Sequence, residues 1–316
     1  MHKAGFVNII GNPNVGKSTL MNALVGEHLS IITSKAQTTR HRIMGIVNGE
    51  DFQIVYSDTP GLLHSTYRLQ EKMLEFSLSA LLDADILLYV TDGQDNPDKN
   101  GDFLSKIKRF EQTQKQAKII VIINKIDLIT PETLEKLYDY WHQELPTAII
   151  LPISALNKFG IDVLFKQIKD NLPESEPFFP KDQLTDKPAR FFVTEIIREK
   201  ILLNYQKEVP YSVEVEVDSF KEKPLTETTQ NVDNKQVKHK NRVCLHISAT
   251  IYCERDSQKG IIIGKNGLAL KKIGTLARKD IEAFFEKPVY LQLFVKVDPN
   301  WRSNVARLKH YGYDLN

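Results

Sequence analysis

Four short groups of residues in this chain have the types and spacing for phosphate and nucleobase chemistry. Gly11-Asn12-Pro13-Asn14-Val15-Gly16-Lys17-Ser18 matches G-x-x-x-x-G-K-[ST] without deviation. Its glycines let the backbone curl until successive N–H groups face one point, where phosphate oxygens can sit. A helix opening at Lys17 adds the partial positive charge of its N-terminus. Asn12, Pro13, Asn14, Val15 and Gly16 form the cradle, Lys17 reaches the β- and γ-phosphates, and Ser18, followed by Thr19, offers a hydroxyl to Mg²⁺.

Asp58-Thr59-Pro60-Gly61 lies downstream of an apolar stretch. A carboxylate there can hold a Mg²⁺-bound water, and the Gly61 N–H can approach a γ-phosphate because no side chain intervenes. Asn124-Lys125-Ile126-Asp127 is the base-selecting element. The Asp127 carboxylate can accept from the ring N–H and the exocyclic amino group of guanine. Adenine offers no such pair and would leave it unpaired, at a cost of about 1–3 kcal/mol or more. Asn124 can bond the imidazole side of the base, and the Lys125 stem can lie over the ring. At Ser154-Ala155-Leu156 a small residue lets a backbone N–H reach the guanine carbonyl. An ATP-using kinase would share the first motif, but Asn124-Lys125-Ile126-Asp127 argues against it.

The fourth group lies far downstream. Gly264-Lys265-Asn266-Gly267 is a GXXG loop preceded by Gly260-Ile261-Ile262-Ile263. Such glycines allow a sugar-phosphate backbone to lie close, with Lys265 offering charge and Asn266 hydrogen bonds. Ile261, Ile262 and Ile263 are expected to line an apolar groove for unstacked bases. Between Arg255 and Lys279 seven Lys and Arg residues, Lys271 and Lys272 among them, face the single acid Asp256, the electrostatic footprint of a single-strand groove.

The elements that must position these groups fall into two patterns. Gly5–Ile10, Phe52–Tyr56, Ile86–Val90, Ile119–Ile123 and Ala148–Leu151 are short apolar runs rich in β-branched residues. Helical stretches at Lys17–Val25, Gln70–Leu82, Gly101–Gln116 and Pro131–Glu144 separate them. Strands alternating with helices predict βαβ units, a mainly parallel sheet and helices on both faces. After residue 190 the pattern changes. A helix over Phe191–Gln206 precedes alternating strands at Val213–Val217 and Val243–Ile251, expected to form a hairpin; an amphipathic helix over Leu268–Glu286 precedes a last strand at Val289–Val297. Ser219–Asn241 has no apolar period and reads as a long flexible loop. Pro173, Pro177, Pro180 and Pro188 mark a linker. The expected division is residues 1–173, a linker at 174–188, and 189–316.

Composition agrees. The 316 residues suit two domains, and 41% hydrophobic with 26% charged residues excludes disordered, collagen-like and disulfide-scaffold classes. No apolar run approaches the roughly 18 residues of a membrane helix. Two cysteines give neither a disulfide framework nor zinc spacing, which fits a reducing cytosol. The N-terminus runs straight into a strand, so no leader is expected. Residues 1–180 carry 18 Lys and Arg against 22 Asp and Glu, whereas 181–316 carry 24 against 18, so the second part can face a polyanion.

In this order the first three groups and the Ser-Ala-Leu turn resemble signature motifs of the translation-factor-like GTPases. The resemblance implies a switch threonine in Lys35-Ala36-Gln37-Thr38-Thr39-Arg40, with Thr39 placing its hydroxyl on Mg²⁺ and Thr38 as the alternative. Leu62 stands where a Ras-like protein has the glutamine that orients water, so slow intrinsic hydrolysis is expected. Asn14 matches a position that in several relatives helps bind K⁺, which would supply transition-state charge.

The helix–strand–strand–GXXG–helix–strand order resembles a type II KH domain. With Lys35–Arg42, Asp58–Gly61, Gly260–Gly267 and the closing Leu308-Lys309-His310-Tyr311-Gly312-Tyr313, nearly the whole chain resembles the bacterial Era family. That resemblance implies a P-loop GTPase domain of the α/β class followed by an α+β type II KH domain. It implies GTP/GDP and Mg²⁺ as ligands, with Lys17, Thr39, Asp58, Gly61 and Asn14 in hydrolysis and Ser18, Thr39 and Asp58 at the metal. It further implies a cytoplasmic monomer that binds small-subunit (16S) rRNA near its 3′ end and assists small ribosomal subunit assembly. The switch segments would be roughly residues 31–45 and 58–72. The alternative is a GTPase whose C-terminal domain docks a protein or associates weakly with the inner face of the cell membrane.

Overall fold

The computed structural model describes residues 1–62, 66–94, 101–113, 117–224 and 243–313. They form two compact units: Met1–Lys187 with Leu308–Asn316, and Pro188–Arg307. No helix among the described residues is long and apolar enough to cross a membrane.

The first unit holds a six-stranded sheet. Its strands are β1 (Lys3–Gly11), β2 (Ile43–Asn48), β3 (Phe52–Asp58), β4 (Ile86–Asp92), β5 (Lys118–Asn124) and β6 (Ile149–Pro152), in the order β2-β3-β1-β4-β5-β6. All neighbours are parallel except β2, which runs antiparallel to β3 at the edge. β4 is buried at every position. Such a strand needs both faces covered, which is why the central strands are continuous Ile, Leu and Val runs. On one face Leu87 and Tyr89 meet Leu104, Ile107 and Phe110 of α3 (Gly101–Thr113) and Leu137 and Trp141 of α4 (Pro131–Glu144). Alternation turns Ile86, Leu88 and Val90 to the other face. There α1 (Lys17–Val25) packs so closely on the edge that a Cβ at Gly45 would lie 2.7 Å from both Met21 and Val25 side chains. Helices α2 (Arg68–Leu82) and α5 (Ile161–Asn171) complete the unit.

The proline-rich stretch lies along the β2 edge. Ile46 N–H donates to Leu184 O (2.8 Å), Met44 N–H to Asp186 (2.9 Å) and Thr185 Oγ1 to Met44 O (2.7 Å). Gln53, fully buried, accepts from the N–H groups of Phe178 and Phe179. Residues 174–187 therefore cover a sheet edge that would otherwise expose unpaired backbone groups.

The second unit packs α6 (Ala189–Asn204), α7 (Asp256–Ile263) and α8 (Leu268–Phe285) with the sheet β7 (Val213–Pro224), β8 (Val243–Cys253) and β9 (Val289–Val297), ordered β7-β8-β9. β7 and β8 form the expected antiparallel hairpin, and β9 returns parallel to β8. Ile197 and Ile201 of α6 and Ile273, Ala277 and Ile281 of α8 bury against Val215, Ile247 and Ala249 of the strands. Two expectations change here. Strand β7 continues to Pro224 through a register shift near Asp218, so the flexible loop does not begin at Ser219; residues 225–241 lie outside the described residues. The segment before the GXXG loop, expected to place all three isoleucines along a groove, is helix α7, which turns them to different sides.

The last helix, α9 (Val305–His310), carries the chain back to the first unit, which it rejoins at Leu308.

Candidate functional site

The carboxyl ends of β1, β3, β4, β5 and β6 deliver the site, as open parallel sheets do. β1 ends at Gly11, whose φ of +151° and 2.1 Å separation between a built Cβ and Val90 O admit no side chain. The chain then turns through Asn14 (φ 65°) and Gly16 (φ 96°) into α1. At Gly16 a Cβ would meet Asn124 Nδ2 at 2.3 Å. Lys17 is buried, and its ammonium donates to Gly11 O (3.0 Å) and Asn12 O (2.7 Å), which holds the charge inside the loop.

Three oxygens converge beside it. Ser18 Oγ donates to Asp58 Oδ2 (2.7 Å) and lies 2.9 Å from Thr39 Oγ1, which donates to the same Oδ2 (3.2 Å). Burial pushes the Asp58 carboxyl up, while the Ser18 hydroxyl, the Lys17 charge and the Thr39 hydroxyl pull it down. Its Oδ1 is buried without a hydrogen-bond partner. Hydroxyl and carboxylate oxygens in this arrangement suit a hard divalent cation such as Mg²⁺. Of the two threonines, Thr39 is the one at this point. Thr38 Oγ1 instead donates to Lys35 O and lies 2.6 Å from Thr33 Oγ1.

Gly61 passes over the P-loop so tightly that a Cβ would sit 2.8 Å from Pro13 Cα. Leu62 is buried, and its N–H donates to Gly11 O (3.2 Å). An apolar side chain cannot orient water.

At the other end of the pocket Asn124 joins three loops. Its Nδ2 donates to Val15 O (2.8 Å), and its Oδ1 accepts from Ala155 N–H (3.0 Å). The Ala155 N–H is thus already engaged by protein. Lys125, held at φ 59°, spans to Asn14 O (2.5 Å) and to Asp92 Oδ2 (2.6 Å). Asp127 is exposed and lines the same cavity as Lys17, Ser18, Thr39, Ser154 and Leu156, a space of about 460 Å³. Asp92 belongs to none of the sequence motifs. The signal for it is register: it sits directly beside Asn124 across the β4–β5 ladder.

In the second unit the GXXG loop links α7 to α8. Gly264 (φ 72°), Asn266 (φ 52°) and Gly267 (φ 75°) all have left-handed φ values, and a Cβ on Gly264 would meet Ala269 Cβ at 2.6 Å. Lys265, Asn266, Lys271 and Lys272 are exposed. The isoleucines separate. Ile261 is 50% exposed, Ile263 packs partly on the core, and Ile262 is fully buried, its carbonyl accepting from Tyr205 Oη (2.7 Å). Ile262 is therefore a core residue and not a groove residue, because the helical turn of α7 points it inward. Leu268, 64% exposed, joins Ile261 as an apolar residue flanking the loop, a placement its sequence position did not reveal.

A P-loop sheet with a base-selecting strand end, joined to a GXXG-bearing helix pair on a three-stranded sheet, defines a GTPase fused to a type II KH domain. A family model described as a 50S ribosome-binding GTPase matches residues 6–125, and a KH-domain model matches residues 208–302. GTPase Era of Ruminiclostridium cellulolyticum is 39% identical over 315 residues, covering 100% of this chain and 99% of that protein. The structure of Era in complex with MgGDPNP and nucleotides 1506–1542 of 16S ribosomal RNA superposes with a TM-score of 0.86 at 38% identity over 100% of both chains. An Aquifex aeolicus Era variant bound to GDP and AlF4⁻ gives 0.85 at 38% identity over 99% of this chain and 100% of that one. The chain belongs to the Era family of GTPases.

Proposed function

We propose that the protein is a GTP-hydrolysing switch that grips single-stranded rRNA near the 3′ end of the small subunit and assists small-subunit assembly. The observation that carries the reading is the meeting of Ser18, Thr39 and Asp58 at one end of a pocket and Asn124 and Asp127 at the other, in a chain similar end to end to an Era that was solved with 16S rRNA.

Ser18, Thr39 and Asp58 would hold Mg²⁺, which would supply positive charge to neutralise the phosphates. Lys17 and the α1 N-terminus hold the phosphates, and Gly61 gives its N–H to the γ-phosphate. Asp127 pairs with guanine while Lys125 and Asn124 brace the base-binding loops. Buried Leu62 leaves attacking water without a side-chain acceptor, which keeps unassisted hydrolysis slow. Ile261, Leu268 and the GXXG loop take the RNA strand, with Lys265, Lys271 and Lys272 facing its phosphates.

Binding of labelled RNA spanning nucleotides 1506–1542 to the full-length chain, with GDP and with GDPNP, tests the reading. Tighter binding with GDPNP is expected, and by linkage RNA must then tighten GDPNP. Equal affinities would remove the switch, and no binding would remove the RNA function.

A further inference from the structure

The two points at which the chain leaves and re-enters the first unit are both fastened to one short segment, His41–Ile46. That segment joins Thr39, beside Ser18 and Asp58, to strand β2. On the outgoing side, Leu184–Asp186 bonds along Met44–Ile46 through two backbone N–H groups and the Thr185 hydroxyl. Lys187 is the last residue of the first unit before the chain departs.

On the returning side the fastening is aromatic. Tyr313 is 1% exposed and stacks on His41, with ring centroids 4.3 Å apart and planes 19° from parallel. His41 in turn meets Phe76 of α2 at 6.0 Å. The sequence builds this seat. Gly312 at φ 81° ends α9: its N–H donates to Lys309 O (3.1 Å), and Tyr313 N–H donates back to Leu308 O (2.9 Å). That pairing is a Schellman cap, which brings the residues at its two ends together. Leu308 and Tyr313 are both buried. Arg307, one residue earlier, pairs with Asp298 of the second unit (3.1 Å). The step from Arg307 to Leu308 is therefore where the returning chain passes from one unit to the other.

The neighbouring Arg42 has a different task. Its guanidinium bonds Ser57 Oγ (2.6 Å) on β3, Asn8 Oδ1 (3.2 Å) on β1 and Asp83 (2.8 Å) at the end of α2. It anchors the segment, one residue after His41, to β1, β3 and the end of α2.

We propose that His41–Ile46 is the relay by which the nucleotide state reaches both connections of the second unit, with Tyr313 on His41 as its releasable latch. The proposal rests on reading the second unit as the RNA-binding module. His41 and Tyr313 are positioning residues: neither lines the nucleotide cavity.

The experiment compares full-length wild type with Tyr313→Ala, Tyr313→Phe and Gly312→Ala. Each is titrated with RNA of nucleotides 1506–1542 in GDP and in GDPNP, alongside nucleotide affinity without RNA. Tyr313→Phe keeps the stacked ring and should keep the wild-type ratio of the two RNA affinities. Tyr313→Ala should bring that ratio to about one while nucleotide affinity without RNA is unchanged. Gly312→Ala retains every ring but strains the left-handed cap, and should shift the ratio the same way. It guards against a tail that merely fails to fold in Tyr313→Ala. A wild-type ratio preserved in both Tyr313→Ala and Gly312→Ala overturns the relay alone. A wild-type chain that binds no RNA overturns the underlying reading, and the relay with it.

Discussion

Single atoms decide what this pocket accepts. In the proposed reading the Asp127 carboxylate, which lines the cavity, would offer two acceptors to the two adjacent donors of guanine. In Asp127→Asn one acceptor becomes a donor, so GTP should weaken by about 1–3 kcal/mol, roughly 5–150-fold. Xanthosine triphosphate, with a carbonyl in place of the amino group, should gain relative to GTP. Competition binding against a labelled guanine nucleotide reads both changes. Thr39 and Thr38 separate as sharply. Thr39→Ala removes a hydroxyl 2.9 Å from Ser18 Oγ, whereas Thr38→Ala removes one engaged by Thr33 and Lys35. Thr39→Ala should therefore weaken Mg²⁺-dependent GDPNP binding while sparing GDP, and Thr38→Ala should leave both within a few-fold. Asn14 lines the cavity beside the P-loop, and Leu62 offers no polar atom to the reaction. Single-turnover hydrolysis should accordingly be faster in K⁺ than in Na⁺, and Asn14→Ala should erase the difference. Most of these residues were legible in the sequence because their spacing is fixed by phosphate and base geometry. Asp92 was not, because it depends on which residue a neighbouring strand turns toward the site.

At the scale of elements, the clearest sequence signals came from regions where one local rule dominates. Pro131 behind Thr130, which accepts from Thr133 N–H (3.4 Å), starts α4 where the sequence places it. Strand β2 went unread because Gly45 splits its apolar run, and that glycine is set by the close approach of α1, a tertiary demand. Helix α7 hid for a related reason. Gly260 and three isoleucines carry no helical period, yet the Gln258 side chain accepts from the N–H groups of Glu254 and Arg255 (3.1 and 3.0 Å) and closes the first turn of a helix. The GXXG loop makes a graded prediction. Gly264 combines φ 72° with a Cβ contact at 2.6 Å, whereas Gly267 has φ 75° and open space around it. An alanine costs about 1–2 kcal/mol in the left-handed backbone of Gly267 and about 1–3 kcal/mol at Gly264, whose ψ of 176° puts it in a region that essentially only glycine adopts. Gly264→Ala should thus lose RNA affinity and thermal stability together, and Gly267→Ala should lose less of both. Thermal unfolding followed by RNA titration of the two variants checks the order.

Across the whole molecule, charge is divided as the chemistry is divided. Residues 1–180 hold 18 basic against 22 acidic residues, and residues 181–316 hold 24 against 18. The excess concentrates on the GXXG loop and α8, where Lys265, Lys271 and Lys272 are exposed while Ile273, Ala277 and Ile281 are buried. Amphipathic periodicity alone would put polar residues on that outer face, but it would not choose the basic residues Lys271, Lys272, Arg278 and Lys279. A phosphate strand gives the reason, because each neutralised phosphate releases condensed counterions. For single strands the logarithm of affinity should fall with the logarithm of salt at a slope of about −0.7 per phosphate contact. Lys271→Ala and Lys272→Ala should each make the slope shallower by about 0.7 and weaken binding uniformly across RNA sequences. Ile261→Ala should leave the slope alone and weaken binding through lost base contact. Titrations of these three variants at several KCl concentrations separate the two kinds of contact. An unchanged slope in both lysine variants would move the RNA strand off α8.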